Sequence, residues 1–189
     1  TRLISSLASK VFVFTLDSDA PQSVRHMSVG THNSSAGRLC AEVINRALPE
    51  GGQIALFIGD NERHNAQQRR LAIINALSNV GEDGEEITDP DIAEPLEVGN
   101  YTIVKTYLDG GDTDQAVANV EQAVQEHPEL GCVVALYGYN GPACRKGLAN
   151  AGKLDSVKIV AFDQHEETLA GIESGEIVGT IVQDPYQYG

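Results

Sequence analysis

From Gly51 to Asp184 the sequence alternates between short β-branched runs and longer amphipathic stretches. The apolar runs predict five strands, at 51 to 60, 101 to 108, 131 to 138, 157 to 163 and 177 to 184. The stretches between them have helical spacing and predict four helices, at 65 to 80, 113 to 127, 142 to 152 and 166 to 175. Strands that alternate with single helices predict an α/β fold built on a doubly wound parallel sheet.

Before Gly51 the sequence repeats the same two signals. The run KVFVFTLD, at 10 to 17, predicts a first strand. From Asn33 to Leu48 the apolar residues recur with a period near 3.6, which predicts a helix that Ser34 or Asn33 can cap.

Two acidic segments interrupt this pattern. Residues 81 to 100 carry eight acidic residues and two prolines, which predicts a solvated loop. The second segment, DGGDTDQ at 109 to 115, has the composition of a cation site. Capping of the next helix by Asp112 or Thr113 explains it more simply.

The charge balance disfavours a nucleic-acid partner. The chain carries 27 acidic residues against 13 Lys and Arg, a formal net charge of −14, and the basic residues are scattered. No apolar run approaches the roughly 20 residues that span a bilayer.

The cysteines and histidines lack the spacing of a zinc site or a disulfide framework. We therefore expect no metal and no cofactor, with buried cysteines and with histidines on the surface or at helix ends. The residues concerned are Cys40, Cys132 and Cys144, and His26, His32, His64, His127 and His165.

Polar and aromatic residues follow the predicted strands. In two of the apolar runs an aspartate directly follows the last apolar residue, VFVFTLD at Asp17 and VAFD at Asp163. In doubly wound folds, ligands bind beyond the carboxyl ends of the strands. Carboxylates, amides and aromatic rings suit a neutral, hydroxyl-rich ligand, and so predict a carbohydrate before a phosphate or nucleotide. The strand-end residues are Asp17, Ser18, Asp19, Asp60, Asn61, Tyr137, Gly138, Tyr139, Asn140, Asp163 and Gln183.

The enzyme motifs that such a fold can carry are missing from the sequence. We find no G-x-G-x-x-G after a strand, no phosphate-binding G-x-x-x-x-G-K-[ST] and no G-x-S-x-G elbow. The segment FTLDSDAP resembles the Asp-x-Asp motif of haloacid-dehalogenase phosphatases. Pro21 stands where that family usually carries Thr or Val, and no lysine or late acidic pair completes the motif. We therefore expect a protein that is not an enzyme.

Four segments together resemble the type I periplasmic sugar-binding proteins, the ribose-binding-like group. They begin with FTLDSDAPQSVRHMSVGTHNSSAGRLCAEVI and GGQIALFIGDNERHNAQQRRLAIINAL, and continue with YGYNGPACRKGLANAG and VKIVAFDQHEETLAGIESGEIVGTIVQDPYQYG. The resemblance covers nearly the whole chain. It implies a two-lobed bacterial protein, periplasmic or extracellular and membrane-associated, that closes on one monosaccharide and delivers it to the permease of an ABC importer.

The effector-sensing domain of a lac-repressor-like regulator or sensor shares this fold and is the alternative. The ending IVQDPYQYG and the loop YGYNGPA are more similar to the transporter-associated proteins. The resemblance therefore favours transport over gene regulation.

The resemblance also implies a set of ligand contacts. The late aspartate and glutamine of the family match Asp163 and Gln183. Arg69 matches its common R-x-x-G-F arginine, whereas ribose binders place their ligand arginine at the position of Gln67. We expect Arg25 to pair within its own loop and Arg70 to be solvated. The complete expected set is Asp17, Asp19, Gln67, Arg69, Tyr139, Asn140, Asp163 and Gln183.

Compared with the family, the chain is expected to be a fragment. Residues 1 to 30 correspond to a remnant of the first lobe, 31 to 184 to a nearly complete second lobe, and 185 to 189 to the start of the return. Hinge crossings are expected near Thr31-His32 and Gln183-Asp184. We expect these 189 residues alone to bind sugar weakly or not at all, and to form a homodimer or a swapped arrangement.

Overall fold

The structure is a computed structural model that describes residues 2–78, 86–88 and 90–188. The helices are α1 (Arg2–Ala8), α2 (Asn33–Ala47), α3 (His64–Leu77), α4 (Thr113–Glu126), α5 (Asn140–Asn150) and α6 (Glu166–Glu173). The strands are β1 (Phe14–Leu16), β2 (Met27–Val29), β3 (Gly52–Ile58), β4 (Leu96–Val98), β5 (Tyr101–Leu108), β6 (Leu130–Ala135), β7 (Lys158–Phe162) and β8 (Gly179–Ile181). A 3-10 helix follows at Pro185–Tyr188.

The main sheet has six strands in the order β4-β5-β3-β6-β7-β8. All neighbours are parallel except β4, which runs antiparallel to β5 at one edge. The chain leaves β3 toward β5 on one side and returns past β3 to β6 on the other. This reversal is the topological switch point of a doubly wound sheet, so the predicted α/β fold is confirmed.

Apolar cores lie on both faces of this sheet. Along β3, Ile54, Leu56 and Ile58 contribute to the core that includes residues of α2 and α3. The alternate residues Ala55 and Phe57 contribute to the core that includes residues of α4 and α5. Because successive side chains of a strand point to opposite faces, a strand covered on both sides reads as a continuous apolar run.

A separate two-stranded parallel sheet pairs β1 with β2. The predicted strand at 10 to 17 is shorter in the structure, because only Phe14–Leu16 has a ladder partner. Neither β2 nor helix α1 was predicted. Both are short, and a three-residue strand is defined by the strand it pairs with more than by its own pattern.

Strand β4 lies within the segment that we predicted to be a loop. It pairs through only three residues with the edge of the sheet, and Glu97 in its middle is exposed. Residues 81–85 and 89 of that segment lie outside the described residues, as do residues 79 and 80 at the end of the helix predicted at 65 to 80.

Histidine and aspartate side chains cap several helices. The His32 ring accepts a hydrogen bond from the Ser35 amide, so His32 caps α2, where Ser34 or Asn33 was expected. Asp112 caps α4 as predicted. His165 caps α6, which agrees with the expected placement of histidines at helix ends.

The three cysteines are buried, as expected, and unpaired. Burial raises the pKa of the Cys132 thiol to about 12, so this thiol stays protonated at neutral pH. None of the helices in the described ranges combines the length and apolarity required to cross a bilayer.

Candidate ligand-binding site

A cavity of about 630 Å³ lies beyond the carboxyl ends of the sheet strands, at the switch point. Its volume is within the usual range of small-molecule sites. Residues that follow β1, β3, β5, β6, β7 and β8 line it, together with side chains of α3. The lining residues are Asp17, Ser18, Gly59, Asp60, Arg63, Asn65, Arg69, Leu108, Gly110, Gly111, Tyr137, Tyr139, Asp163 and Gln183.

Asp163 is held in place by its neighbours across the sheet edge. Its amide donates to the Ile181 carbonyl at 2.9 Å, and its own carbonyl accepts from Thr180 Oγ1 at 2.7 Å. The Gln183 amide nitrogen donates to Asp163 Oδ1. The half-buried carboxylate is therefore oriented before any ligand arrives.

Gln183 connects the two positions where hinge crossings were expected. Its Oε1 accepts hydrogen bonds from Thr31 Oγ1 at 2.7 Å and from Arg69 Nη2 at 3.0 Å. With its nitrogen donating to Asp163, both ends of this amide are engaged. The amide orientation is thus fixed by three residues that are distant in sequence.

Arg69 is 2% exposed although it borders the cavity. Besides Gln183, its guanidinium donates to Asn33 Oδ1 at 2.9 Å and to the Leu136 carbonyl at 2.7 Å. It also lies 4.7 Å from the centroid of the Phe162 ring. A planar group with several fixed donors suits such a junction, and these contacts engage its donors within the protein.

Two tyrosine rings form an aromatic wall. Tyr137 and Tyr139 stack with their centroids 6.1 Å apart and an angle of 11° between the ring planes. The hydroxyl of Tyr139 donates to Asp109 Oδ1 at 2.5 Å. Burial, together with the Asp109 carboxylate, raises the pKa of Tyr139, which keeps the phenol neutral at physiological pH.

The cavity brings together five of the eight expected ligand residues, namely Asp17, Arg69, Tyr139, Asp163 and Gln183. The cavity is also lined by three other expected strand-end residues, Ser18, Asp60 and Tyr137. Arg63 and Asn65 were not predicted, and their position just after β3 is the signal that could have identified them. Asp109 was not among the expected site residues, although it follows β5 as Asp163 follows β7.

Asp19 does not line this cavity. It accepts hydrogen bonds from two nitrogens of Arg25, each at 2.6 Å, and from Thr15 Oγ1. This confirms that Arg25 pairs within its own loop. The Arg25 guanidinium holds the pKa of the Asp19 carboxyl well below its usual range.

Gln67 and Asn140 are also absent from the lining. Gln67 is exposed on α3, and two positions along a helix turn a side chain by about 200°, so Gln67 and Arg69 point to opposite sides. Asn140 is fully buried and donates to Asp109 Oδ2 at 2.8 Å.

Arg70 contradicts the expectation of a solvated residue. It is 4% exposed and donates to Thr106 Oγ1 and to the carbonyls of Pro90 and Asp91. It ties α3 to β5 and to the segment before β4. Helical spacing alone could not reveal this, because the acceptors come from other parts of the chain.

The lining contains three carboxylates, at Asp17, Asp60 and Asp163, and two guanidinium groups, at Arg63 and Arg69. Arg63 lies 3.9 Å from Asp60 and is largely exposed. The site is therefore rich in hydrogen-bond acceptors. Within the ranges that the structure describes, no group of three or more His, Cys, Asp or Glu could hold a metal ion.

The chain is similar to several known proteins. A D-ribose/D-allose-binding protein from Pseudomonas aeruginosa is 25% identical over 155 residues, which are 82% of this chain and 43% of that protein. GanP, a glucose-galactose binding protein from Geobacillus stearothermophilus, superposes with a TM-score of 0.84 at 22% identity, over 99% of this chain and 61% of GanP.

An ABC transporter solute-binding protein from Burkholderia graminis, solved in complex with D-arabinose, superposes with a TM-score of 0.81. It is 28% identical, and the match covers 97% of this chain and 58% of that protein. This chain thus spans between two fifths and about three fifths of these relatives. The periplasmic binding protein domain matches residues 6–189, and the chain belongs to that family.

Proposed function

We propose that this protein binds a neutral monosaccharide in the cavity and passes it to the membrane permease of an ABC importer. The observation that carries the proposal is that Asp17 and Asp163, which follow strands of two different sheets, line one cavity together with Tyr137 and Tyr139. Two relatives, a D-ribose/D-allose-binding protein and a solute-binding protein in complex with D-arabinose, support the same ligand class.

The chemistry of the lining favours a polyol. Each carboxylate can accept hydrogen bonds from two neighbouring sugar hydroxyls, and a tyrosine ring can cover the apolar face of a sugar. A sugar acid or sugar phosphate would instead meet three carboxylates, and the exposed Arg63 already lies 3.9 Å from one of them, Asp60. The buried guanidinium of Arg69 already donates to three protein acceptors. We therefore expect neutral sugars to bind in preference to anionic ones.

The phosphatase alternative requires the second carboxylate of Asp-x-Asp to act as a general acid. Asp19 occupies that position, and its pairing with Arg25 favours the ionised form. A carboxyl held in this way is a poor proton donor. We therefore propose a binding protein that is not an enzyme, located in the periplasm or outside the cell on the membrane, as its family suggests.

An NMR titration tests the proposal. The ¹⁵N-labelled 189-residue chain is titrated with D-ribose, D-arabinose, D-glucose and D-galactose. Because the side chain of Asp17 is exposed, we expect weak binding, with a dissociation constant of about 1 mM or above. The amide signals of Tyr139, Asp163 and Gln183 should shift for at least one sugar. Gluconate and glucose 6-phosphate are the anionic controls.

Replacement of one cavity carboxylate provides the matched comparison. Asp163→Asn should lower the affinity roughly tenfold, because a charge-assisted hydrogen bond becomes a neutral one. Asp155→Asn changes an exposed carboxylate outside the cavity and should have no effect. The proposal fails if no neutral monosaccharide shifts the cavity signals at up to about 100 mM.

A sensor of the lac-repressor type would also bind a sugar here. The two roles differ in the protein partner. A second experiment therefore measures the ATPase rate of the permease reconstituted in liposomes. Stimulation of its ATPase by sugar-loaded protein would support transport, and an unchanged rate would count against it.

A further inference from the structure

Asp109 is a buried carboxylate behind the aromatic wall. It is 5% exposed and is the first residue after β5. Its Oδ1 accepts from the Tyr139 hydroxyl at 2.5 Å and from the Gly111 amide at 2.8 Å, and its Oδ2 accepts from Asn140 Nδ2 at 2.8 Å. These three donors are uncharged. Burial of a carboxylate is costly unless its oxygens are hydrogen-bonded, and here three neutral donors offset that cost.

The local backbone is built around these contacts. The Asp109 amide donates to the Ile58 carbonyl, and Gly110 and Gly111 both have left-handed φ values, 66° and 84°. This turn brings the Gly111 amide to the carboxylate. Two consecutive residues in this conformation are strained unless both are glycine.

Tyr139 is restrained from several sides. Its hydroxyl is held by Asp109, and its ring stacks on Tyr137. A Cβ atom at position 59 would lie 2.7 Å from the Tyr139 hydroxyl, so only glycine leaves room for it. The ring therefore has one place to lie, and that place is in the cavity wall.

We infer that Asp109 is a positioning residue of the sugar site, which holds the Tyr139 ring in the cavity wall by accepting its only hydroxyl proton. This inference rests on the proposed function. Asp109 itself does not line the cavity and acts through Tyr139. Because the phenolic proton is committed to Asp109, Tyr139 offers the ligand ring carbon atoms and no hydrogen-bond donor. The wall at this position thus selects the apolar face of a sugar.

Asn140 completes the arrangement. Its Nδ2 donates to Asp109, while its Oδ1 is buried without a hydrogen-bond partner. In Asp109→Asn, the new Oδ1 can still accept from Tyr139, and rotation of the Asn140 amide lets its oxygen accept from the new amide nitrogen. Asparagine at position 109 is therefore the conservative variant, and leucine, which has no acceptor, is the disruptive one.

The test uses the 189-residue chain with ¹³C in the Cζ atoms of its six tyrosines. The Cζ shift reports whether a phenol donates to a carboxylate, and Tyr139→Phe assigns the signal. Asp109→Leu should move the Tyr139 signal to that of a solvated phenol and weaken sugar binding about tenfold. Asp109→Asn should keep the ring ordered and the affinity within about threefold of the wild type.

Asp112→Ala is the matched control. It removes the cap of α4 from the same loop, which should cost about 1 kcal/mol of stability. The Asp112 side chain accepts from the amides of Asp114 and Gln115, whereas Tyr139 donates to Asp109. The substitution should leave both the Tyr139 signal and the affinity unchanged. A general loss of stability would instead affect both readouts in this variant as well.

Two results would overturn the inference. One is an unchanged Tyr139 signal in Asp109→Leu, and the other is a moved signal with wild-type affinity. If the wild type binds no sugar, the proposed function fails, while the Tyr139 signal still decides whether Asp109 fixes the ring. Should Asp109→Leu not fold, Gly59→Ala places a Cβ atom 2.7 Å from the Tyr139 hydroxyl and should displace it. Because Gly59 also lines the cavity, the Tyr139 signal is the readout in this variant, and an unchanged signal would overturn the inference.

Discussion

Asp17 and Asp163 share an unusual backbone conformation, with φ values of 65° and 68°. Each follows the last residue of a strand, and each amide donates at 2.9 Å to the carbonyl that ends the neighbouring parallel strand, at Val29 and Ile181. They are the non-glycine residues with positive φ in the part of the chain that the structure describes. Aspartate and asparagine tolerate this region better than other L-residues. The chain thus turns sharply at both strand ends and delivers both carboxylates to one cavity.

Substitutions of Asp163 separate its backbone role from its side-chain role. Asp163→Ala should destabilise the protein by about 1–2 kcal/mol, since alanine is strained in the left-handed region. Asp163→Asn should cost little, because it tolerates the conformation and still accepts from Gln183. Asp163→Gly should relieve the strain but not restore the hydrogen bond. Urea denaturation measures all three variants, and equal losses for Ala and Asn would contradict this account.

Arg69 should be far less tolerant of substitution than an exposed arginine. Lysine cannot reproduce the planar group that donates to Asn33, Leu136 and Gln183, so buried acceptors lose their partners. Arg69→Lys should cost about 2–4 kcal/mol of unfolding free energy. Arg46→Lys, at a side chain that is 74% exposed, should change stability by no more than about 0.5 kcal/mol. Similar losses in the two variants would show that the Arg69 contacts contribute little.

Gly37 of α2 packs directly against α3. A Cβ atom there would lie 2.5 Å from the Arg69 carbonyl oxygen and 2.6 Å from Ala72 Cβ. Gly37→Ala should therefore push the helices apart and cost about 1–3 kcal/mol, despite the better helix propensity of alanine. Gly179→Ala meets only an ordinary contact of 3.5 Å with Val43 and should have little effect. Thermal unfolding of the two variants compares them directly.

Asp19 should make the stability of its loop depend on pH. Arg25 lowers the pKa of its carboxyl below the ordinary value of 3.8, so the pairing contributes fully above that value. The contribution is lost as the pH falls through the lowered pKa of the folded state. The stability difference between the wild type and Asp19→Asn should thus be constant above about pH 4 and shrink below it. Denaturation at several pH values measures it, and a difference that grows on acidification would contradict the assignment.

The β1–β2 sheet should promote self-association. Its register places Phe14, Leu16 and Met27 on one face, where they are 56%, 55% and 49% exposed. A two-stranded sheet is marginal unless something covers its apolar face, and a second copy of this chain can cover it symmetrically. The net charge of −14 opposes such a dimer.

Salt should therefore strengthen the dimer, because it screens the repulsion between the two copies. Sedimentation equilibrium at two salt concentrations tests this, and Phe14→Glu should abolish the association. Leu169→Glu, at a residue that is 43% exposed on α6, is the control. A monomer at all concentrations and salt levels would refute the prediction.

The repeated change between strand and helix patterns identified the doubly wound sheet, because each pattern is local and depends on burial of one or both faces. These local patterns could not predict the strand that pairs with β1 or the edge strand β4. Three-residue strands carry almost no periodicity of their own, and pairing with another segment defines them.

For the site, the sequence by itself determined which residues stand at the strand ends, and it placed Asp17, Tyr139, Asp163 and Gln183 near one another. Only the tertiary structure decided which polar side chains face the cavity and which serve other protein groups. Asp19 and Asn140 are likewise a carboxylate and an amide that follow strands, yet Asp19 accepts from Arg25 and Asn140 donates to Asp109. The physical reason is that a hydrogen bond requires a partner within about 3 Å at a suitable angle, and the folded chain supplies that partner from residues distant in sequence.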